Sequence, residues 1–226
     1  MADASLRLVV FDFDGTLVDS GDLIVAAMRT AFGCLGVPCP PAASVRRVIG
    51  PSLRDVVAAL APPGARPDLD ALTTAYRQAY AELTAGPGVP ETLYPGAVGA
   101  LDELEAAGYV LGIATGKSRR GLGNALARHG LEGRFVTVQT ADGGPGKPHP
   151  GMLQRAIDEV GGSAVATCMI GDTVFDVEMA RAAGVAALGV GWGYHEKEEL
   201  LRAGAAEVVA AFGGLPGAVD RVFRRG

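Results

Sequence analysis

Cysteine is scarce in this chain of 226 residues, which holds only Cys34, Cys39 and Cys168. An odd set with no CxxC pair excludes a disulfide framework and a zinc cluster, and leaves the thiols to core packing. Long apolar runs are lacking as well. The longest nearly uncharged stretch, about Ala182 to Gly193, is too short and too Gly-rich to cross a bilayer, so no membrane partner is expected. The start MADASLRLVVFDFDG has no basic, hydrophobic and small-residue succession of a signal peptide, and a cytoplasmic location is expected. Positive charge is not in excess: 20 Lys and Arg stand against 25 Asp and Glu, for a net charge of −5. That balance lacks the basic footprint that a nucleic-acid backbone requires. His129, His149 and His195 share no metal-ligand spacing.

What is present suits a folded globular protein, with 49% hydrophobic and 20% charged residues. Short apolar runs recur at LRLVVF (Leu6 to Phe11), VLGIAT (Val110 to Thr115), Phe135 to Val138, ATCMI (Ala166 to Ile170) and VAALGV (Val185 to Val190), with a short last candidate at Glu207 to Ala210. Continuous runs of this kind are strands buried on both faces of a parallel sheet. Helical stretches lie between them: Ala97 to Ala107, Arg119 to His129, Gly151 to Val160, Val174 to Ala183 and Glu196 to Ala203. The alternation predicts an α/β fold with a doubly wound, Rossmann-like parallel sheet. It fails from about Asp19 to Thr92, where helices are broken by PCPP, APPGARP and GPGVP. Residues 1–18 and 93–226 are therefore expected to form the core, and residues 19–92 an inserted α-helical cap with Pro/Gly-rich hinges.

Ligands of such sheets bind beyond the carboxyl ends of the strands. Asp12 and Asp14 follow the first run, two residues apart and pointing the same way. One could serve as nucleophile and the other as general acid, but crowded like charges resist joint ionisation unless a cation is near. Asp172 in GDTVFD follows the run ATCMI and is a further oxygen ligand, a set that favours Mg²⁺. Thr115 and Gly116 end VLGIAT at a helix start, where a hydroxyl and amides can grip a phosphate oxygen. Lys147 in GKPHP adds a cation for the same anion. A nucleotide P-loop at GIATGKS is excluded by spacing, since Gly112 and Gly116 leave three residues between them where four are needed.

In that order DFDGTLVDS, TGK, KPHP and GDTVFD resemble the four motifs of haloacid dehalogenase (HAD) superfamily phosphatases, over nearly the whole chain. The insertion after the first motif resembles the helical cap of the phosphoglycolate phosphatase and β-phosphoglucomutase branch, and VGWGYH (Val190 to His195) resembles phosphoglycolate phosphatase-like members. The resemblance implies Asp12 as nucleophile, Asp14 as general acid and base, and Thr115 and Lys147 as the phosphate clamp. It implies Mg²⁺ on Asp12, Asp172 and the backbone carbonyl of Asp14, with Asp176 supporting the metal's waters or the lysine.

The implied activity is hydrolysis of a small phosphorylated metabolite, 2-phosphoglycolate first among them, by a monomer or homodimer. A β-phosphoglucomutase-like mutase, a pyrophosphatase and a catalytically silent phosphate-binding protein are the alternatives. Within the cap, Arg46, Arg47 and Arg54 flank Ile49-Gly50-Pro51-Ser52, and Arg47 is the expected contact to a substrate anion. Asp19 and Asp22 are expected to cap the first cap helix, Lys117 to solvate a helix start, and Trp192 to pack over the end of the sheet.

Overall fold

The computed structural model of the chain describes residues 6–62, 67–86 and 90–225. Strand β1 (Leu8–Phe11) lies at the centre of a six-stranded parallel sheet with β4 (Val110–Thr115), β5 (Thr137–Thr140), β6 (Thr167–Gly171), β7 (Ala186–Val190) and β8 (Glu207–Val209), in the order β5-β4-β1-β6-β7-β8. Leu8 pairs with Val110 on one side and Thr167 on the other, and Phe11 with Ile113 and Ile170. All four β1 residues are fully buried. The strand period of two divides them between faces. Val9 and Phe11 pack with Leu101 of α5 (Ala97–Ala106), Leu122 of α6 (Arg119–Arg128) and Val219 of α10 (Leu215–Arg225). Leu8 and Val10 pack with Met152 of α7 (Gly151–Glu159) and Val177 of α8 (Val174–Ala182), in a cluster that also takes Leu200 of α9 (Lys197–Ala203). The α/β expectation holds.

The chain runs from β1 outward to β4 and β5, then returns to the other side of β1 with β6. This reversal opens a crevice beyond the carboxyl ends of β1, β4 and β6, where ligands bind in such sheets. Three details differ from the sequence reading. The third strand falls at Thr137–Thr140 instead of 135–138, because Phe135 anchors the preceding loop into the core while Val136 is 65% exposed. Helix α10 closes one face with Leu215, Ala218, Val219, Val222 and Phe223, apolar residues at helical spacing that the sequence reading passed over. A two-residue antiparallel pair, β2 (Val18–Asp19) with β3 (Thr92–Leu93), joins the start and end of the insertion.

Inside the insertion lie α1 (Gly21–Cys34), α2 (Ala42–Arg47), α3 (Leu53–Leu60) and α4 (Leu69–Ala85). They enclose a hydrophobic cluster of their own, with Met28, Phe32, Val45, Val57 and Leu72 fully buried in it. Of the expected Pro/Gly-rich hinges, PCPP is described, whereas APPGARP and GPGVP lie partly outside the described residues. Among the described residues no helix is long and apolar enough to cross a membrane.

Candidate active site

The ends of three neighbouring strands converge on an ionic centre. Asp12 directly follows β1, its amide donates to the Ile170 carbonyl at 2.9 Å, and its Oδ1 accepts from the Phe13 amide at 2.7 Å. Asp172 follows β6, and Asp176 lies one turn into α8. Oxygens of these three buried carboxylates lie within 4.8 Å of one another. Lys147 Nζ lies 2.7 Å from Asp12 Oδ1 and 2.6 Å from Asp176 Oδ1, and the lysine side chain is 0% exposed. Both are close charge contacts without hydrogen-bond angles, since Lys147 Nζ and Asp176 Oδ1 are otherwise unpartnered.

Each acid is oriented by its second oxygen or by its neighbours. Thr16 Oγ1 donates to Asp172 Oδ1 at 2.8 Å, and the Tyr194 amide to Asp172 Oδ2 at 2.9 Å. Thr16 is fixed in turn, because its carbonyl accepts from Trp192 Nε1 at 2.9 Å. Asp176 Oδ2 accepts from the Thr173 amide and hydroxyl, which closes a capping box on α8. Gly15 has φ +83°, and a side chain there would run into Asp172 and Tyr194, so the turn after Asp14 has room only for glycine.

Three carboxylates surround one ammonium, so the centre is short of positive charge. Burial drives the Asp12 carboxyl well above its usual range, Lys147 pulls it down, and Asp176 and Asp172 push it up further. Burial raises Asp172 to about 7, with the Asp176 charge adding to it. Buried acids that resist ionisation in this way are relieved by a cation. The donors are all hard oxygens, which fits Mg²⁺ and not a thiolate- or imidazole-seeking ion.

Asp14 belongs to a second, outer cluster. Its carboxylate accepts from Lys117 Nζ at 2.8 and 3.1 Å and from Ser20 Oγ at 2.7 Å, so only its main chain is left for the inner centre. Lys117 also donates to the Tyr80 hydroxyl at 2.9 Å and lies 3.6 Å from Glu91 Oε1. Glu91, with a side chain only 3% exposed, accepts from Tyr80 at 2.5 Å and pairs with Arg128. Burial would lower the Lys117 pKa, but Asp14 and Glu91 more than offset it and the net shift is upward. Burial likewise would raise Glu91, yet Lys117, Tyr80 and Arg128 bring it below its usual value.

Asp12, Asp14, Thr115, Gly116 and Lys117 line one cavity of about 810 Å³ between the strand ends and the helical insertion. Thr115 is buried at the end of β4, where its Oγ1 accepts from the Lys117 amide at 3.2 Å. A side chain at Gly116 would strike the Gly50 and Pro51 carbonyls, so this glycine lets the insertion approach the turn.

Not every expected residue comes to this place. Arg47 does not line the cavity: its guanidinium forms a fork with Glu199 at 2.6 and 2.9 Å, which corrects its expected contact with a substrate anion. Arg46 and Arg54 are likewise paired, with Asp22 and Asp70. The residue that starts α1 is Ser20, whose hydroxyl serves Asp14 instead of capping the helix. His195 is buried and bridges the Val174 amide and the Arg47 carbonyl, and Trp192 packs against Phe212.

Sequence reading missed Lys117, Glu91, Tyr80 and Ser20 as site residues. Only Lys117 left a signal, through its place directly after Thr115-Gly116.

The haloacid dehalogenase-like hydrolase family matches residues 9–190. The chain is 36% identical over 220 residues to the probable phosphatase IndB of Dickeya dadantii, spanning 96% of this chain and 95% of that protein. It is 32% identical over 189 residues to a phosphoglycolate phosphatase of Xanthomonas campestris, spanning 83% and 84% of the two chains. A solved hydrolase from Pseudomonas syringae superposes with a TM-score of 0.85 at 27% identity, over 95% of this chain and 98% of that one.

Proposed function

The chain belongs to the haloacid dehalogenase-like hydrolases and is a phosphoric monoester hydrolase, and from this premise we propose that it works with Mg²⁺ through a phosphorylated Asp12. The observation that carries the proposal is a buried Asp12 carboxylate at the end of the central strand, 2.7 Å from a fully buried lysine and open to the cavity.

The carboxylate of Asp12 attacks the phosphorus in line; a carboxyl–phosphoryl bond forms as the bond to the ester oxygen breaks. Asp14 gives the departing oxygen a proton, then takes one from the water that cleaves the acyl-phosphate, which frees inorganic phosphate and restores Asp12. Thr115, Gly116 and Lys147 hold the phosphoryl oxygens, and Lys147 offsets the charge that gathers as the anionic nucleophile closes on an anionic ester. Asp12, Asp172 and the Asp14 carbonyl would hold the Mg²⁺, with Asp176 fixing Lys147 beside them. When bound, the ion supplies further screening of the nucleophile and phosphoryl charges. Lys117, 2.8 Å from the Asp14 carboxylate, orients that group beside the leaving oxygen and the attacking water.

Residues 19–92 act as a cap that covers the site and excludes water during transfer. The expected small metabolite stands, and 2-phosphoglycolate is the first ester to assay because a relative's name supports it. The Asp14 carboxylate leaves a mutase or pyrophosphatase open as chemistry.

The test is phosphate release from a panel of esters by the wild type and Asp12→Asn. Turnover should fall by at least ~10³-fold in the variant, with an unchanged circular dichroism spectrum. EDTA should abolish activity, Mg²⁺ restore it and Ca²⁺ fail to. Substantial turnover by the variant, or full activity in EDTA, would overturn the nucleophile or the metal respectively.

A further inference from the structure

A cavity of about 810 Å³ is far larger than a phosphoryl group with a two-carbon alcohol, and falls in the range of sites that enclose drug-sized ligands. Its floor is the ionic centre. Its wall on the insertion side is apolar: Ile24 and Met28 from α1, Ile49, Leu53 and Val56 from α3 and the turn before it, and Tyr76 from α4. The polar lining residues Arg77, Gln78, Arg120 and Asn124 are all exposed, which places them towards the mouth.

Of the cavity's cations, Lys117 lies between Asp14 and Glu91 and the exposed Arg128 is held by Glu91, whereas Arg77 and Arg120 at the mouth are in no ion pair among the described residues. Lys147, behind Asp12, is matched by Asp12 and Asp176. Arg46, Arg47 and Arg54 are in ion pairs outside. A carboxylate on a short leaving alcohol, held close to Asp12, would lose its water against aliphatic side chains below the exposed Arg77 and Arg120, which is unfavourable. An apolar alcohol would gain by the same burial.

Resting on the phosphatase reading, we propose that the preferred substrates are phosphomonoesters of a bulky, uncharged and largely apolar alcohol, whose body lies against the Ile24, Met28, Leu53 and Val56 wall. Leu53 is half-buried, which makes it the wall residue most open to change.

The test compares ethyl phosphate, 2-phenylethyl phosphate and 2-phosphoglycolate, three primary alkyl esters with the same phosphoryl group. In steady state with Mg²⁺, kcat/KM for the phenylethyl ester should exceed that of the other two by on the order of 10- to 100-fold. Calorimetric titration of the same esters into Mg²⁺-loaded Asp12→Asn should give the same order of affinity. Leu53→Gln should cut the phenylethyl-to-ethyl ratio several-fold, with ethyl phosphate as the internal reference; should that variant not fold, competitive inhibition of the wild type by 2-phenylethanol but not by ethanol serves instead. Equal kcat/KM values and affinities, or 2-phosphoglycolate ahead, overturn the proposal while leaving the phosphatase reading intact. Binding with this preference but without turnover of any ester overturns the phosphatase reading and supports the cavity's selectivity. Neither turnover nor binding overturns both.

Discussion

The inner cluster and the outer cluster of this site each place a buried lysine between carboxylates, yet they are built differently. Around Lys147 the two partners, Asp12 and Asp176, come from a strand end and the first turn of α8, and each is tied to a backbone amide within three residues. Around Lys117 the partners come from three directions: Asp14 from the first strand's loop, Tyr80 from the insertion, and Glu91 from the segment that leads out of it. The inner arrangement is set by the sheet. The outer one draws on the helices and the core together, so it depends on how the two pack.

Of the two lysines, removing Lys147 should do the more damage. Lys147→Ala leaves three buried carboxylates uncompensated, and kcat should fall by ~10²-fold or more. Breaking such a buried pair should also reduce stability by about 3–5 kcal/mol. Mg²⁺-loaded protein in steady-state assays and urea unfolding checks both. A kcat within a few-fold of wild type would make the inner cluster structural only.

Glu91→Gln comes next, since it removes the anion that pairs with Arg128 and backs Lys117; a loss of about 2 kcal/mol is expected at neutral pH, chiefly from an unpaired Arg128, because Lys117 keeps Asp14. The Glu91 pKa is lowered in the folded protein. Its contribution is therefore complete above the unfolded value near 4.5 and is lost as pH falls through the folded one. Wild type and variant should differ in urea midpoint at pH 7 and converge towards pH 3. A difference that stays constant over that range would remove the charge from the explanation.

Lys117→Met keeps most of the volume but frees Asp14 to its Ser20 contact alone. A drop in kcat/KM of about 10-fold is expected, chiefly in kcat, because the cation that orients the Asp14 carboxylate is gone. A raised KM with kcat unmoved would make Lys117 a binding residue only. Arg54→Ala should do least: its pair with Asp70 is exposed at 59% and 79%, so less than about 0.5 kcal/mol in stability is expected. Any ester whose KM rises tenfold in this variant would bring the cap arginines back into substrate recognition.

Much of the site could be read from the sequence because the chemistry is local to strand ends. Asp12, Thr115 and Asp172 each follow an apolar run directly, so finding the run also finds the residue. Asp176 was legible for the same reason, being one helical turn beyond such an end. The error at β5 arose because Phe135 and Val136 look like strand residues, whereas the ladder begins at Thr137, whose hydroxyl donates to Glu159. Arg47 was misplaced because a guanidinium beside a Gly-Pro turn reads the same whether it faces a ligand or Glu199, a residue 152 positions away.

The sequence by itself determined the parallel sheet and the order of the strand-end residues, and the resemblance of its four motifs to those of HAD phosphatases implied the type of reaction. The sheet and the strand ends follow from short apolar runs buried on both faces. Only the tertiary structure decided which acid each lysine meets, that the arginines of the insertion point elsewhere, and that the wall facing Asp12 is apolar. Those outcomes depend on packing between segments far apart in the chain, where a charge is stabilised or excluded by neighbours that no local pattern records.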